Sequence, residues 1–124
     1  MRACPKPEPR KKAKTRRQRH EAKVKRDVRA NVSARDGYCR LWWLHDPLLG
    51  PCRGESEWMH LWDKKRARTR SLPAEERHTT EASAMGCTAH HRAEEAGELV
   101  IEALTLRLAN GLLRFTRGGY QREE

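Results

Sequence analysis

The feature that most constrains this chain is a run of metal-ligand residues at positions 86–92, which read GCTAHHR. Cys87 and His90 stand three residues apart, which is the spacing of half a structural zinc site. His91 follows directly and points in another direction, where it is available to a second ion or to a proton. Because two ligands do not complete a tetrahedral site, the run predicts that two more soft ligands converge on it from elsewhere in the chain.

The other soft ligands of the chain are cysteines that precede this run. Together they predict a Cys₃His zinc site formed by Cys39, Cys52, Cys87 and His90. Between Cys39 and Cys52 there are 12 residues, whereas paired zinc ligands are usually separated by two. His45 is therefore the alternative ligand if Cys52 does not reach the metal. Cys4 lies in a proline-rich segment and is expected to be a bystander. The competing interpretation is that the cysteines are small, buried apolar residues.

The composition favours the metal site. The 124 residues are 36% hydrophobic and 35% charged, and small domains with such thin cores often need a metal or disulfides. The first residues lack the apolar run of a signal peptide, and no stretch is long enough to span a membrane. We therefore expect a cytoplasmic protein, in which thiols stay reduced and bind metal.

The positive charge is concentrated in the first third of the chain. Residues 1–36 hold 14 Lys and Arg against 4 Asp and Glu, and the rest holds 13 against 13, so the net charge of +10 belongs to the first segment. Such an arm favours a polyanionic partner, and we expect double-stranded DNA rather than a merely solubilising tail. The predicted nucleic-acid-binding residues are Arg16, Arg17, Arg19, Lys23, Lys64, Lys65, Arg66 and Arg68.

The chain divides into a basic disordered arm and helix over residues 1–36, one domain over 37–120 and a tail over 121–124. The predicted elements are a helix over 15–35, a loop over 40–52, a strand over 56–62, a basic loop over 63–77, a helix from Thr79 or Thr80 to about Glu95, strands over 99–104 and 112–117, and a frayed tail from Gly118. The basic loop is either solvent-exposed or in contact with phosphate. Trp42 and Trp43 either pack or stack on bases, and we favour packing.

Four runs of residues in this order resemble the HNH endonucleases, above all the small HNH-type proteins of tailed bacteriophages. The runs are RDGYCR at 35–40, EWMH at 57–60, MGCTAHH at 85–91 and LVIEAL at 99–104. The similarity extends over about residues 24–117. It implies an α+β fold, a small ββα-metal (HNH) domain with a structural zinc site, preceded here by a basic N-terminal helix.

The resemblance also implies a division of roles. His60 matches the general base, and His91 matches a ligand of a catalytic divalent ion, Mg²⁺ or Mn²⁺. The four residues of the Cys₃His set match the structural zinc knuckles. Members of the family usually carry an Asp or His ligand directly before the base, where this chain has Met59, so Glu57 is the expected substitute. The Asn that the family motif usually contains is also missing from this chain. Besides Glu57, His78 is another possible replacement.

The function implied is metal-dependent nicking or cutting of DNA with low sequence specificity, in phage DNA processing or packaging. A terminase subunit is then a candidate partner, and the host cytoplasm is the location. Neither a membrane nor a small-molecule substrate is expected. The alternative is a zinc-stabilised, non-catalytic nucleic-acid-binding module on a degenerate HNH scaffold.

Overall fold

Helices and two small antiparallel sheets form the described part of the chain, which is residues 5–6, 13–62 and 72–124 of a computed structural model. The predicted α+β class is confirmed at this level. The elements are α1 (Arg16–Asp36), short 3₁₀ turns at Trp42–Leu44 and Pro47–Leu49, β1 (Ser56–His60), α2 (Ala74–Arg77), β2 (Ser83–Cys87), α3 (Thr88–Glu95), β3 (Leu99–Ala103), a 3₁₀ turn at Leu108–Asn110, β4 (Leu113–Arg117) and β5 (Tyr120–Glu123). Of the predicted basic loop over 63–77, residues 63–71 lie outside the described part, and Ala74–Arg77 form the short helix α2 instead.

The predicted N-terminal helix is confirmed, and local signals fix both of its ends. The Thr15 hydroxyl accepts from the amide of Gln18, whose side chain accepts from the amide of Thr15, which forms a capping box. Gly37 ends the helix at φ 72°, a conformation that glycine adopts without strain. Along this basic helix only Val32 and Asp36 are buried, so its C-terminal end is the part that is anchored to the core.

The anchor at that end is the carboxylate of Asp36. It accepts hydrogen bonds from Arg35 Nε (2.6 Å) and Nη2 (2.9 Å), from Arg40 Nη1 (2.9 Å) and from the amide of Met85 (3.0 Å). A buried carboxylate needs such partners, because its loss of hydration is otherwise uncompensated. The network joins the end of α1 to β2, next to the first predicted zinc ligand.

The segment before α3 corrects the sequence-based prediction of one helix from Thr79 or Thr80 to Glu95. Ser83–Cys87 is instead strand β2, fully buried and paired antiparallel with β1, and the helix begins at Thr88. Pairing with β1 determined the structure of this segment. Gly86 also disfavours a helix here, because glycine is a poor helix former. A Cβ at this position would come within 2.5 Å of Sδ of Met59, which is completely buried.

The second sheet has the order β3-β4-β5, and its first two strands confirm the predicted hairpin near Asn110. The predicted frayed tail from Gly118, including the tail over 121–124, is wrong. Gly118 (φ 55°) and Gly119 (φ 82°) form a tight turn that pairs β5 with β4. The hydroxyl of Tyr120 then donates to Asp46 Oδ2 at 2.6 Å, which attaches the strand to the loop between the predicted zinc ligands.

The apolar core lies between α3 and the two sheets. Its largest fully buried side chains include Phe115, Leu49, Met59, Leu99 and Leu113. The buried cysteines Cys39 and Cys87 belong to the same cluster, so the predicted zinc site forms one wall of the core. Among the residues that the structure describes, no helix is both long and apolar enough to cross a lipid bilayer.

Candidate metal centre and active site

Three thiols and one imidazole converge at the junction of β2 and α3. The residues are Cys39, Cys52, Cys87 and His90, and their ligand atoms all lie within 4.8 Å of one another. The Sγ atoms stand 3.5, 3.5 and 3.3 Å from His90 Nδ1 in the same order. Zinc bonds of about 2.3 Å to sulfur and about 2.05 Å to nitrogen give a tetrahedral S···N edge of about 3.6 Å. The group can therefore hold a metal ion such as zinc.

The hydrogen bonds of His90 set its ring in the state that a metal requires. Nε2 lies 3.2 Å from the carbonyl oxygen of Leu49 and 3.0 Å from that of Gly50. Carbonyl oxygens only accept, so Nε2 carries the proton and Nδ1 presents its lone pair to the thiols. This arrangement also attaches the loop before Cys52 to α3.

Three chain segments supply the ligands, and each is positioned by local structure. Cys39 follows the glycine that ends α1. Cys87 ends β2 and is also the N-cap of α3, where its Sγ accepts from the amide of His90 at 3.4 Å. Cys52 ends the loop of two 3₁₀ turns and reaches the cluster. His45 therefore does not take its place, and its ring lies instead 5.9 Å from that of Trp42.

The electrostatics of the cluster favour neutral groups in the absence of a cation. Burial raises the pKa of the Cys39 thiol, and burial together with the neighbouring thiols raises that of Cys52. Burial lowers the pKa of His90. A divalent cation reverses the preference, because its own charge compensates the thiolates and displaces their protons.

His60, the predicted base, is the last residue of β1 and belongs to a chain of hydrogen bonds. Its Nε2 lies 3.1 Å from Nδ1 of His78, and Nε2 of His78 lies 3.1 Å from Oε1 of Glu21 on α1. The ring of Trp58 packs beside His60 with a centroid distance of 4.2 Å. His78 is 2% exposed, so the middle of this chain is shielded from water.

His91 and Glu57, the predicted ligands of a catalytic ion, are in direct contact. Nδ1 of His91 lies 2.7 Å from Glu57 Oε1, and the hydroxyl of Thr88 donates to Glu57 Oε2 at 2.6 Å. The Thr88 hydroxyl, followed by His91, holds the pKa of Glu57 below its ordinary value. The other ring nitrogen of His91 lies 3.2 Å from Oε1 of Glu95, so two carboxylates flank this imidazole.

His60 and His91 make different contacts in the described structure. Side chains alternate along a strand, so Glu57 and Met59 lie on one face of β1 and Trp58 and His60 on the other. Glu57 contacts α3, whereas His60 contacts His78, which links it to α1. By this alternation, the side chain of His60 leaves β1 on the opposite face from Glu57, the residue that contacts His91. Met59, at the usual ligand position, is 0% exposed and packs in the core.

The basic residues of the arm fall on the exposed part of α1. Arg16, Arg17, Arg19 and Lys23 are all exposed, and their half of the helix buries no residue. The other four predicted contacts, Lys64, Lys65, Arg66 and Arg68, lie outside the described residues. The packing prediction is wrong for Trp43, which is 71% exposed. Trp42 is 44% exposed, and its ring contacts that of Tyr38.

Glu21 was not predicted from the sequence as a functional residue, and His78 was predicted only as a possible replacement within the family motif. The available signal was composition, because Glu21 and Asp27 are the only acidic residues within the basic run 15–35.

No known protein family, curated protein or solved structure matches this chain.

Proposed function

We propose that this protein is a divalent-metal-dependent DNA endonuclease of the HNH type, which nicks or cuts phosphodiester bonds with low sequence preference. The observation that carries the proposal is the unit formed by β1, β2 and α3, with the Cys₃His cluster at its junction. That unit has the order of a ββα-metal domain, with His60 at the end of the first strand and His91 in the first turn of the helix.

His60 is the proposed general base. An imidazole titrates near neutral pH and can take a proton from water as the water oxygen attacks phosphorus. Its place at the end of β1, beside the buried His78, gives it a fixed orientation in the described structure. Low sequence specificity follows from the reacting group, since phosphate is common to every base step.

His91 and Glu57 are the residues that would hold a catalytic Mg²⁺ or Mn²⁺. Their nitrogen and oxygen donors suit these ions, and Thr88 holds Glu57 in place at 2.6 Å. When bound, such an ion stabilises the negative charge that develops on the phosphate and the leaving oxygen. The sulfur-rich cluster suits zinc instead, so the two positions differ in ligand chemistry as well as in role.

The exposed basic half of α1 supports double-stranded DNA as the substrate, because lysines and arginines there can neutralise phosphates along the backbone. If the chain functions as its phage counterparts do, it acts in genome processing or packaging beside a terminase subunit. Binding should weaken steeply as salt rises, since each neutralised phosphate releases counterions.

A second candidate function has its own support. Met59 is buried where the family carries a ligand. His60 leaves β1 on the opposite face from Glu57, the residue that contacts His91. Those two observations favour a zinc-stabilised module that binds nucleic acid without cutting it. The helix and its charge serve this role equally well.

A plasmid-nicking assay separates the two. Supercoiled DNA is incubated with the zinc-loaded protein in Mg²⁺, Mn²⁺ or neither, beside His60→Ala and the matched control His45→Ala, an exposed histidine outside both sites. The endonuclease proposal expects open-circular DNA from the wild type and from His45→Ala only. Full nicking by His60→Ala removes His60 as the base. Salt-sensitive binding without nicking in either metal establishes the non-catalytic module instead.

A further inference from the structure

We propose that Glu21 and His78 are positioning residues for His60, through a hydrogen-bonded chain that runs from α1 to the end of β1. The inference rests on the proposed function, because it assigns these residues to the base of that reaction. It gives the basic helix a second role, in which it carries part of the proton-transfer machinery as well as the DNA-binding charge.

The geometry of the chain is continuous. Oε1 of Glu21 is 3.1 Å from Nε2 of His78, and Nδ1 of His78 is 3.1 Å from Nε2 of His60. Both distances lie within hydrogen-bonding range. His78 is 2% exposed and uses both ring nitrogens within the chain, so water does not replace either partner.

The partners determine where each proton lies. The carboxylate of Glu21 can only accept, so Nε2 of His78 carries a proton and donates it. Burial lowers the pKa of His78, which keeps its ring neutral and leaves a lone pair on Nδ1. Nε2 of His60 must then donate to that lone pair. A neutral His60 in this arrangement carries its proton on Nε2 and its lone pair on Nδ1.

The charges around the chain are consistent with this assignment. On α1, Lys25 Nζ lies 3.7 Å from Glu21 Oε1, and on α2, Arg77 Nη2 donates to the same oxygen at 2.6 Å. The hydrogen bond from His78, and then these cations, hold the pKa of Glu21 below its ordinary value, so the carboxylate is ionised. When His60 takes up a proton, the negative charge of Glu21 stabilises the resulting imidazolium through His78.

Glu21→Gln is the decisive variant. Glutamine keeps the shape and an accepting oxygen but removes the charge, and the side chain is 27% exposed, so the protein should fold. The matched control is Glu75→Gln, because Glu75 is also a carboxylate between α1 and α2 and pairs with His20. His78→Phe, which removes both hydrogen bonds, is the second variant.

The first measurement is long-range ¹H–¹⁵N NMR of the histidine rings, which reports tautomer and pKa without any need for activity. We expect neutral His60 to carry its proton on Nε2. In Glu21→Gln, the pKa measured for His60 should fall by about 0.5 unit or more, and in Glu75→Gln it should not change. A proton on Nδ1 of neutral His60, or equal shifts in the two variants, would overturn the hydrogen-bonded chain.

The second measurement is the pH profile of plasmid nicking. The acid limb in Glu21→Gln should move to lower pH by the shift found by NMR. The plateau rate should also fall, by up to about threefold for each 0.5 unit of that shift, because a weaker base transfers the proton less well. His78→Phe should lose at least as much rate, and Glu75→Gln should match the wild type. An unchanged profile in an active Glu21→Gln protein would refute the positioning role. A wild type that never nicks would refute the proposed function, while the NMR result would still decide whether the chain of hydrogen bonds exists.

Discussion

Replacing one zinc ligand should remove most of the free energy that keeps this protein folded. Cys52→Ser is the informative change, because Cys52 is only half-buried, whereas Cys39 and Cys87 are 0% exposed. A serine at position 52 therefore disturbs the packing least, and its hydroxyl is a poor substitute for a thiolate on zinc.

The size of the effect follows from the size of the domain. A chain of 124 residues at roughly 0.05–0.15 kcal/mol per residue has a free energy of unfolding of about 6–19 kcal/mol. A structural zinc contributes an apparent binding free energy of about 10–16 kcal/mol at pH 7. Because the two quantities overlap, the metal-free protein should lack a cooperative unfolding transition near room temperature.

The assay combines elemental analysis with circular dichroism. Wild-type protein should carry one equivalent of zinc and melt cooperatively, and a strong chelator should abolish the transition. Cys52→Ser should hold less than one equivalent and melt without cooperativity, whereas Cys4→Ser, outside the predicted ligand set, should behave as wild type. Full zinc content in Cys52→Ser, or a wild-type melting curve that the chelator leaves unchanged, would refute the assigned site.

Three further predictions concern the fold around the site. Asp36→Asn should lower the free energy of unfolding by about 3–5 kcal/mol in urea titrations, because it breaks a buried charge network. The control Asp27→Asn, at an exposed position, should change it little. Equal effects of the two substitutions would contradict the anchoring role of Asp36. Gly86→Ala should cost about 1–3 kcal/mol in the same titrations, since its Cβ meets Met59, and a neutral result would show that the core yields there. Because the pKa of His78 is lowered in the folded protein, the unfolded chain takes up this proton first as pH falls. The free energy of unfolding should therefore decrease below about pH 6.5, and should decrease less in His78→Gln. Parallel pH curves for the two proteins would argue against a buried neutral imidazole.

The parts of the structure that were predicted correctly depend on local signals or on ligand chemistry. The N-terminal helix has a capping residue at Thr15 and a glycine at position 37, both readable within a few residues. The Cys₃His set was predictable because few soft ligands are present and a tetrahedral site needs four. The spacing of Cys39 and Cys52 looked unfavourable, but two 3₁₀ turns compact the loop between them.

The parts that were missed depend on contacts between distant residues. Ser83–Cys87 has no strong strand preference of its own and becomes a strand because β1 pairs with it. Tyr120–Glu123 looked like a polar tail, although the Gly118-Gly119 pair was an available hairpin signal. Composition singled out Glu21, but no sequence signal indicated that Glu21, His78 and His60 lie side by side, since they come from three separate segments of the chain.

The adjacency of His90 and His91 in α3 affects how metal-removal experiments on this protein are interpreted. The first residue belongs to the cysteine cluster and the second to the pair with Glu57, so one peptide bond joins the cluster to the proposed position of the catalytic ion. A strong chelator would act on both, so it would abolish the proposed nicking either by removing the catalytic ion or by releasing the start of the helix. Loss of nicking in such a reagent is therefore ambiguous. Only a weak, oxygen-donor chelator that leaves the thiolate-bound ion in place, followed by restoration with Mg²⁺ or Mn²⁺, assigns the loss to the second position.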